Sequence, residues 1–247
     1  MSHPRSLVLT MTMRELHDWD LSYAEARQMQ TELSGRVQVV PLRKEPQRIA
    51  GLDCAFSKDG KRIFAVVVLL EVTGPRRRPP CEMDSFELEH VETVSAEQET
   101  KFPYIPGLLS FREAPVCLEA LTRLDREPDL FMIDGQGIAH PRRLGLASHL
   151  GLFLDKPTIG CAKSRLIGRF EEPGGEKGDW SPLTDKNELI GAVVRTRSQV
   201  KPIFVSVGHK CCLEDAIRIA LACTTRYRLP EPTRLAHQAV SRLKQAT

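Results

Sequence analysis

Apolar residues along this chain fall into stretches of helical and of extended spacing. Between Ser22 and Val37, small and apolar side chains recur every three or four positions, which predicts a first helix with Ser22 as its N-cap and Gly35 near its end. Residues 49–56 form a short apolar segment and residues 63–72 a run rich in β-branched side chains, and the Asp-Gly turn between them predicts a hairpin. Residues 82–94 alternate less regularly and are predicted to be a third strand.

The second half of the chain alternates predicted helices with short buried strands. Helices are predicted over residues 111–124, 144–154 and 213–223, and strands over residues 130–134, 157–162, 188–196 and 203–207. Pro115 restricts the first of these helices, because proline is tolerated only near a first turn. Residues 171–185 are rich in glycine, proline and charge and are predicted to be a surface excursion.

Three strands in hairpin order, followed by helix, strand, helix and strand, indicate an α/β fold with a mixed central sheet flanked by helices. A meander supplies antiparallel strands, and right-handed crossovers then add parallel strands beside the first one. This connectivity is that of the ribonuclease H-like fold. No linker rich in serine, glycine and proline divides the chain, so we expect one domain over residues 1–247.

Composition sets limits on the class of protein. A hydrophobic fraction of 41%, a mean hydropathy of -0.26 and a net charge of +3 describe an ordinary soluble protein with a sizeable core. No run approaches the roughly 20 apolar residues of a membrane span, and the N-terminus lacks the pattern of a signal peptide. Seven cysteines without a CxxC pair favour a reducing, cytoplasmic location. The run Arg76, Arg77 and Arg78 either contacts phosphates or is a solvated loop.

Two carboxylates stand out because each lies in or at the end of an apolar strand. Asp53 sits within the first strand, where an unpaired buried charge would cost several kcal/mol, and Asp134 ends the strand at residues 130–134. If the two strands are parallel neighbours, both side chains reach one edge of the sheet. Alternatively, Asp53 faces solvent, and the glycine-bracketed turn after Asp134 is a phosphate-binding turn.

Glu113 is expected at the start of the helix before the Asp134 strand, where its charge also suits the helix dipole. Three carboxylates that meet without cysteine or several histidine ligands favour Mg²⁺, with Mn²⁺ as a substitute, over Zn²⁺. Hard divalent ions held in this way are the usual device for phosphodiester hydrolysis. A small-molecule phosphatase of α/β type fits the same residues.

Three further side chains are candidates to act beside such a metal. His140 follows the glycine-bracketed turn and is a candidate acid, base or water-orienting group. Lys163 and His209 each follow a predicted strand and are candidates to hold a phosphate or a metal-bound hydroxide. Each residue also has an ordinary alternative, as a loop histidine bonded to backbone or a solvated lysine.

Tyr104 lies between Pro103 and Pro106 in the segment FPYIPG. Because proline fixes its own φ and restricts the residue before it, this aromatic side chain is presented from a stiff turn. A rigid aromatic wedge can fill a gap in a base stack. The alternative is that Tyr104 plugs a groove of its own fold.

Six segments of the chain, in the same order, resemble the endonuclease V family of inosine-directed nucleases, and they fall within residues 22–237. They are GLDCAF, FPYIPGLLSFRE, MIDGQGIAHPRRLGLASHLG, IGCAKSRLIG, VSVGHK and RYRLPEPTRLAH. The resemblance implies a ribonuclease H-like fold and metal-dependent cleavage of DNA at the second phosphodiester bond 3′ to deoxyinosine. Such cleavage leaves a 3′-hydroxyl and a 5′-phosphate.

The resemblance also implies roles for individual residues by motif position. Asp53, Glu113 and Asp134 match the metal-binding catalytic carboxylates, and His140 and Lys163 match supporting catalytic groups. Tyr104 matches the tip of the family's wedge. Positions that match the pocket for a flipped hypoxanthine are Leu109, Gly135, Gly137 and Leu166, and His209 is a further candidate for contact with the substrate.

Two alternatives remain within the same resemblance. One is an endoribonuclease specific for inosine in single-stranded RNA, because the sequence does not settle preference for the 2′-hydroxyl. The other is a non-catalytic module that marks inosine, although the presence of all three carboxylates argues against it. We expect a monomer whose partner is nucleic acid and which does not associate with a membrane.

Overall fold

The computed structural model describes residues 12–76 and 85–246 of the chain. Five helices lie in these ranges: α1 (Tyr23–Ser34), α2 (Leu109–Leu121), α3 (Leu146–Leu154), α4 (Leu213–Ala222) and α5 (Glu231–Ala246). The strands there are β1 (Arg48–Phe56), β2 (Arg62–Arg76), β3 (Ser85–Glu99), β4 (Leu130–Ile133), β5 (Thr158–Ala162), β6 (Trp180–Asp185), β7 (Glu188–Val194) and β8 (Ile203–His209). Over the described ranges, no helix is both long enough and apolar enough to cross a bilayer.

The described strands form one sheet in the order β3-β2-β1-β4-β5-β8-β7-β6. β4 pairs in parallel with β1 and with β5, and the other neighbours are antiparallel. The predicted mixed sheet, a meander extended by parallel crossovers beside the first strand, is confirmed. Because β1, β4 and β5 run in the same direction, their carboxyl ends lie at one edge of the sheet, and the candidate site is built there.

β2 shows why the central strands are apolar throughout. Alternate side chains of β2 are buried on opposite faces of the sheet. One face packs against α2 and α3 through Ile63, Ala65, Val67 and Leu69. The other face packs against α5 through Phe64, Val66, Val68 and Leu70. Since helices cover both faces, these strands show no alternation of polar and apolar residues.

Local signals set the start of α1 but not that of α2. Ser22 caps α1 as predicted, because its hydroxyl accepts from the Glu25 amide at 3.3 Å and the Glu25 carboxylate accepts from the Ser22 amide at 2.8 Å. α2 begins at Leu109, before the predicted start, so Pro115 lies inside the helix beyond its first turn. Glu113 also lies beyond the first turn, and the expectation that it begins the helix is therefore wrong.

Two elements were not predicted. β6 lies within the stretch predicted to be a surface excursion and pairs with β7. The rest of that stretch is irregular and is held by Arg195, whose guanidinium donates to the carbonyls of Pro173 and Gly174. α5 is the second element, and its apolar residues recur at helical spacing on the face that packs against the sheet: Leu235, Ala236, Ala239, Val240 and Leu243.

The meander ends with β3 at one edge of the sheet. The predicted third strand is confirmed from Ser85 onward, while residues 82–84 lie outside the described residues. Arg76 ends β2, and the remainder of the arginine run, Arg77 and Arg78, also lies outside the described residues. Phosphate contact by this run stays a prediction.

Candidate active site

Asp53 and Asp134 lie side by side at the carboxyl edge of the parallel strands. Asp53 is on β1, Asp134 directly follows β4, and the Asp134 amide donates to the Leu52 carbonyl at 3.0 Å. The two side chains are only 11% and 10% exposed. Two buried carboxylates this close repel each other unless a proton or a cation lies between them.

His237 on α5 reaches the same edge of the sheet. Its Nδ1 atom lies 2.6 Å from Asp53 Oδ2. The helix can approach β1 this closely because Gly51 has no side chain: a Cβ atom there would collide with the backbone of Pro232 at the start of α5. The position of His237 therefore depends on direct packing of a helix backbone against a strand backbone.

Asp53, Asp134 and His237 form a group that fits a divalent cation. One ligand atom from each lies within 4.8 Å of the other two. His237 Nδ1 is also 3.2 Å from Lys163 Nζ, so a single nitrogen faces both a carboxylate acceptor and an ammonium donor and can satisfy only one of them. Asp134 Oδ2 forms an ion pair with Lys163 but accepts no well-directed hydrogen bond from the described residues. A cation would satisfy these atoms together, and a donor set rich in carboxylate oxygen suits Mg²⁺ or Mn²⁺.

Glu113 adds a third carboxyl group beside the pair. Its burial, and then the charges of Asp53 and Asp134, raise the pKa of Glu113 to about 8. Burial, and then the charge of Asp134, raise the pKa of Asp53, although its hydrogen bond with His237 opposes this shift. The three predicted carboxylates thus share one electrostatic environment, with Glu113 outside the tight group that His237 completes.

Lys163 stands between the carboxylates and the open side of the site. It follows β5, and its ammonium lies 2.5 Å from Asp134 Oδ2 while the side chain remains 37% exposed. Arg228 holds the backbone of this residue by donating to the Lys163 carbonyl at 2.7 Å and to the Pro202 carbonyl at 2.8 Å. A partly exposed cation fixed beside the carboxylates can contact a phosphate.

A cavity of about 400 Å³ opens beside the carboxylates. Glu113, Asp134 and Lys163 line it, which places the cavity and the candidate metal ligands together. Four of the predicted substrate-binding residues also line it: Tyr104, Leu109, Gly135 and Leu166. The volume lies within the range of small-molecule pockets, and such pockets are lined mainly by apolar groups with a few polar ones.

Tyr104 is at the rim of this cavity and is 69% exposed. It does not plug a groove of its own fold, so the alternative raised from the sequence is wrong. The loop that carries it ends at Gly107, whose φ of +79° lies in the left-handed region that favours glycine. Arg142 fastens this end of the loop by donating from Nη2 to the Gly107 carbonyl at 2.6 Å, while its Nε donates to the side chain of Gln30 on α1.

His140 lines the same cavity but is bonded to backbone groups of its own loop and of the loop that carries Tyr104. Its Nδ1 accepts from the Arg142 amide at 3.2 Å, and the ring has a hydrogen bond to the Gly107 backbone. Burial, and then the nearby charge of Arg142, lower the pKa of His140 to about 4. The imidazole is therefore neutral at pH 7, and a part in proton transfer or water orientation stays a prediction.

The structure does not bring two of the predicted substrate-binding residues to the cavity. Gly137 packs under β8, where a Cβ atom would collide with the Val207 carbonyl, and its amide donates to Ser206 Oγ at 2.9 Å. His209 is buried and pairs with Thr158 at the amino end of β5, the edge of the sheet opposite to Lys163. The antiparallel direction of β8 accounts for this, because its carboxyl end lies beside the start of β5.

The sequence reasoning missed His237. The residue ends the segment RYRLPEPTRLAH, a motif in which the resemblance assigns no role to the histidine. A signal was available, because Pro232 near a helix start followed by apolar residues at helical spacing is typical of an amphipathic helix. Because α5 was not predicted, there was no reason to expect His237 beside β1.

Sequence comparison places this chain beside known nucleases. Residues 31–238 match the endonuclease V family. A curated endonuclease V from Methanothrix thermoacetophila is 49% identical over 227 residues, which cover 92% of this chain and 94% of that protein.

Structural comparison agrees with the sequence match. The crystal structure of an endonuclease V from Streptomyces avermitilis has a TM-score of 0.83 and 41% identity, covering 92% of this chain and 96% of that one. The Ciona intestinalis endonuclease V has a TM-score of 0.73 and 30% identity, covering 91% of this chain and 98% of that one. That enzyme was crystallised with a 24mer DNA containing an inosine followed by a ribo-adenosine.

Proposed function

The chain belongs to the endonuclease V family, and on that premise we propose that it is a divalent-cation-dependent endonuclease that nicks DNA at the second phosphodiester bond 3′ to deoxyinosine. The products are a 3′-hydroxyl and a 5′-phosphate. The observation that carries the proposal is the group of Asp53, Asp134 and His237 beside a cavity whose rim presents Tyr104. The complex of the Ciona relative with inosine-containing DNA supports the choice of substrate.

Asp53, Asp134 and His237 would hold the cation, and the Glu113 carboxyl group lies near enough to interact with its charge. Mg²⁺ is the cation we propose and Mn²⁺ the substitute, because carboxylate oxygens dominate the donor set. When bound, such an ion activates water and neutralises charge that develops on the phosphate. Without the ion, the carboxylates of this chain repel one another. Binding of a cation relieves this repulsion, which favours its binding at this edge of the sheet.

Two further side chains that line the cavity are a cationic lysine, Lys163, and a neutral histidine, His140. Lys163 is held beside Asp134 with its ammonium partly exposed, a position from which it can pair with a phosphate oxygen. His140 is neutral at pH 7 and is held by backbone groups of Arg142, in its own loop, and of Gly107, at the end of the loop that carries Tyr104. With Nδ1 bonded to the Arg142 amide and the ring bonded to the Gly107 backbone, it fixes the two loops beside the cavity to each other.

Recognition of the lesion is assigned to the cavity and its rim. A flipped base would enter between Leu109, Gly135 and Leu166, and the exposed ring of Tyr104 would occupy the gap left in the base stack. Leu109 is 40% and Leu166 is 50% exposed, so both offer apolar surface to an incoming base. We propose that one copy of the chain, folded as one domain, contains every residue that this reaction needs.

A nicking assay on an oligonucleotide with one deoxyinosine tests the proposal. The chain should cut it in the presence of Mg²⁺ and not with a chelator, and the product should carry a 3′-hydroxyl. Asp53→Ala and Asp134→Ala should each abolish cutting while their thermal unfolding stays cooperative. Cutting at the wild-type rate by either variant would overturn the assignment of the metal ligands.

A matched RNA oligonucleotide in the same assay addresses the alternative substrate. Cleavage of inosine-containing RNA is not favoured, since both complexes of the Ciona relative contain a DNA strand, in which a ribo-adenosine follows the inosine. We expect the DNA strand to be cut faster, and faster cutting of the RNA strand would reverse the choice of substrate.

A further inference from the structure

A chain of hydrogen bonds runs from the cavity into the protein through two histidine rings. Ser110 Oγ lies 3.1 Å from His149 Nδ1, and His149 Nε2 lies 2.8 Å from His17 Nε2. His17 Nδ1 lies 2.7 Å from the carbonyl oxygen of Asp18. None of these side chains has a part in the proposed cleavage chemistry.

The carbonyl at the end of this chain determines the direction of every bond in it. A carbonyl can only accept, so His17 Nδ1 carries a proton and donates it to Asp18, which leaves Nε2 of a neutral His17 as an acceptor. His149 must then donate from Nε2, and its Nδ1 becomes an acceptor in turn. The only donor that faces His149 Nδ1 in the described residues is the hydroxyl of Ser110.

The rings stay neutral because they are enclosed by other aromatic side chains. His149 is fully buried, and its ring centre is 4.9 Å from that of Phe111 and 5.5 Å from that of Phe153. Burial holds the pKa of His149 well below its usual range and lowers that of His17. With both imidazoles neutral, the direction set at Asp18 holds along the whole chain.

Ser110 is the end of this chain that meets the cavity. It lies on α2 between Leu109 and Glu113 and lines the cavity with both. Its hydrogen is used in the bond to His149, and no other described residue donates to its oxygen. We propose that Ser110 determines base specificity by presenting to the flipped base an oxygen that accepts a hydrogen bond and cannot donate one.

An acceptor of this kind discriminates between a deaminated and an intact adenine. At position N1, a 6-oxopurine such as hypoxanthine carries a hydrogen and donates, whereas adenine has a lone pair and accepts. Adenine would set two acceptors against each other in a site from which water is excluded, and a buried polar group left unpaired opposes binding. His17 and His149 are positioning residues in this scheme, because they act only through the direction of the Ser110 hydroxyl.

The inference rests on the proposed function, and a cycle of enzyme and substrate changes tests it. Wild-type protein and Ser110→Ala are each assayed for kcat/KM on oligonucleotides with deoxyinosine or its 1-deaza analogue, in which a C–H group replaces N1–H. Ser110→Ala should reduce kcat/KM about tenfold on deoxyinosine and less than about twofold on the analogue, because the hydrogen bond exists only in the first pair. Equal reductions on both substrates would overturn the inference.

A second variant tests the direction of the bonds instead of their presence. His17→Phe keeps an aromatic ring beside Trp19 but removes the acceptor for His149, which is then free to carry its proton on Nδ1 and to donate to Ser110. The Ser110 hydrogen can then point into the cavity. Nicking of an oligonucleotide with unsubstituted purine, whose N1 accepts, should rise severalfold relative to deoxyinosine. A purely structural change would lower both rates by one factor, and that result would contradict the scheme.

The outcomes separate this inference from the function on which it rests. If wild-type protein does not nick deoxyinosine DNA with Mg²⁺, the proposed function fails. If wild-type protein nicks it while neither variant changes the ratio between bases, the function stands and the role of Ser110 is wrong.

Discussion

At the scale of a single residue, Glu113 shows how the site opposes stability. Its raised pKa means that the folded state holds a proton that the unfolded state releases, so the folded state binds more protons between about pH 4.5 and pH 8. Stability of the metal-free protein therefore falls as the pH rises through this window, and it stays low above it. A shift of this size corresponds to a penalty on the order of a few kcal/mol when the group is ionised.

Glu113→Gln should remove this penalty. We expect the metal-free variant to unfold at a higher temperature than the wild type at pH 8, and the two to converge near pH 4.5, where the wild-type carboxyl is protonated. The variant should also nick deoxyinosine DNA far more slowly. Thermal unfolding from pH 4.5 to pH 8.5 with a chelator measures the first effect, and a constant difference across that range would show that Glu113 is not the titrating group.

At the scale of elements, the contact between α5 and β1 positions His237. Gly51→Ala should force the two backbones apart, because the added Cβ atom would collide with the Pro232 backbone. We expect a loss of about 1–3 kcal/mol of stability, as in other overpacked cores, together with loss of nicking. Gly35→Ala is the matched control, since a Cβ atom there would meet only the Glu32 carbonyl at 3.7 Å. Denaturant unfolding and the nicking assay report the two effects, and wild-type behaviour of Gly51→Ala would contradict the close approach.

The loop that carries Tyr104 is a second element whose position depends on a distant contact. Arg142→Ala removes the donor to the Gly107 carbonyl and the link to Gln30, so the loop should become less well fixed. Affinity for deoxyinosine DNA should fall about tenfold, with a smaller change in the rate at saturation. Arg218→Ala, an exposed arginine on α4, serves as the control.

Tyr104→Ala provides a comparison for the same loop. It should weaken binding of the lesion more than it slows the chemical step. In the double variant with Arg142→Ala, the fold loss of affinity should be smaller than the product of the two single losses. Equilibrium binding to an uncleaved substrate in Ca²⁺ measures both. Strictly multiplicative losses would show that Arg142 acts independently of the wedge.

At the scale of the whole molecule, a bound cation would join the sheet to α5. Asp53 and Asp134 belong to the sheet edge and His237 to α5, so a cation that binds only the folded state stabilises the sheet edge and the helix together. Millimolar Mg²⁺ should raise the unfolding temperature and slow hydrogen exchange in α5. Both effects should shrink in His237→Ala and partly return in His237→Asn, whose amide oxygen can replace Nδ1. His90→Ala, an exposed histidine on β3, should behave as wild type, and an undiminished Mg²⁺ effect in His237→Ala would remove the residue from the cation site.

Patterns along the chain were sufficient for most of the fold. Apolar runs and turn residues identified the hairpin strands, the parallel strands and four of the helices, because periodicity is a local property of an element. The six motifs identified the family and contain both carboxylates of the candidate metal group. The sequence did not distinguish the roles of nearby residues. Gly135 and Gly137 lie in the same turn, yet Gly135 lines the cavity and Gly137 packs under β8.

By itself, then, the sequence determined the strands and most of the helices around the site except α5, two carboxylates available to a cation, and membership of the endonuclease V family. Only the tertiary structure decided that His237 meets Asp53 across 184 positions of sequence, that His209 lies at the wrong edge of the sheet, and that a carbonyl at Asp18 sets the direction of a hydrogen bond at Ser110. The reason is physical. Periodicity depends on neighbours along the chain, whereas ligand sets, strand direction and hydrogen-bond direction depend on which backbones approach each other in space.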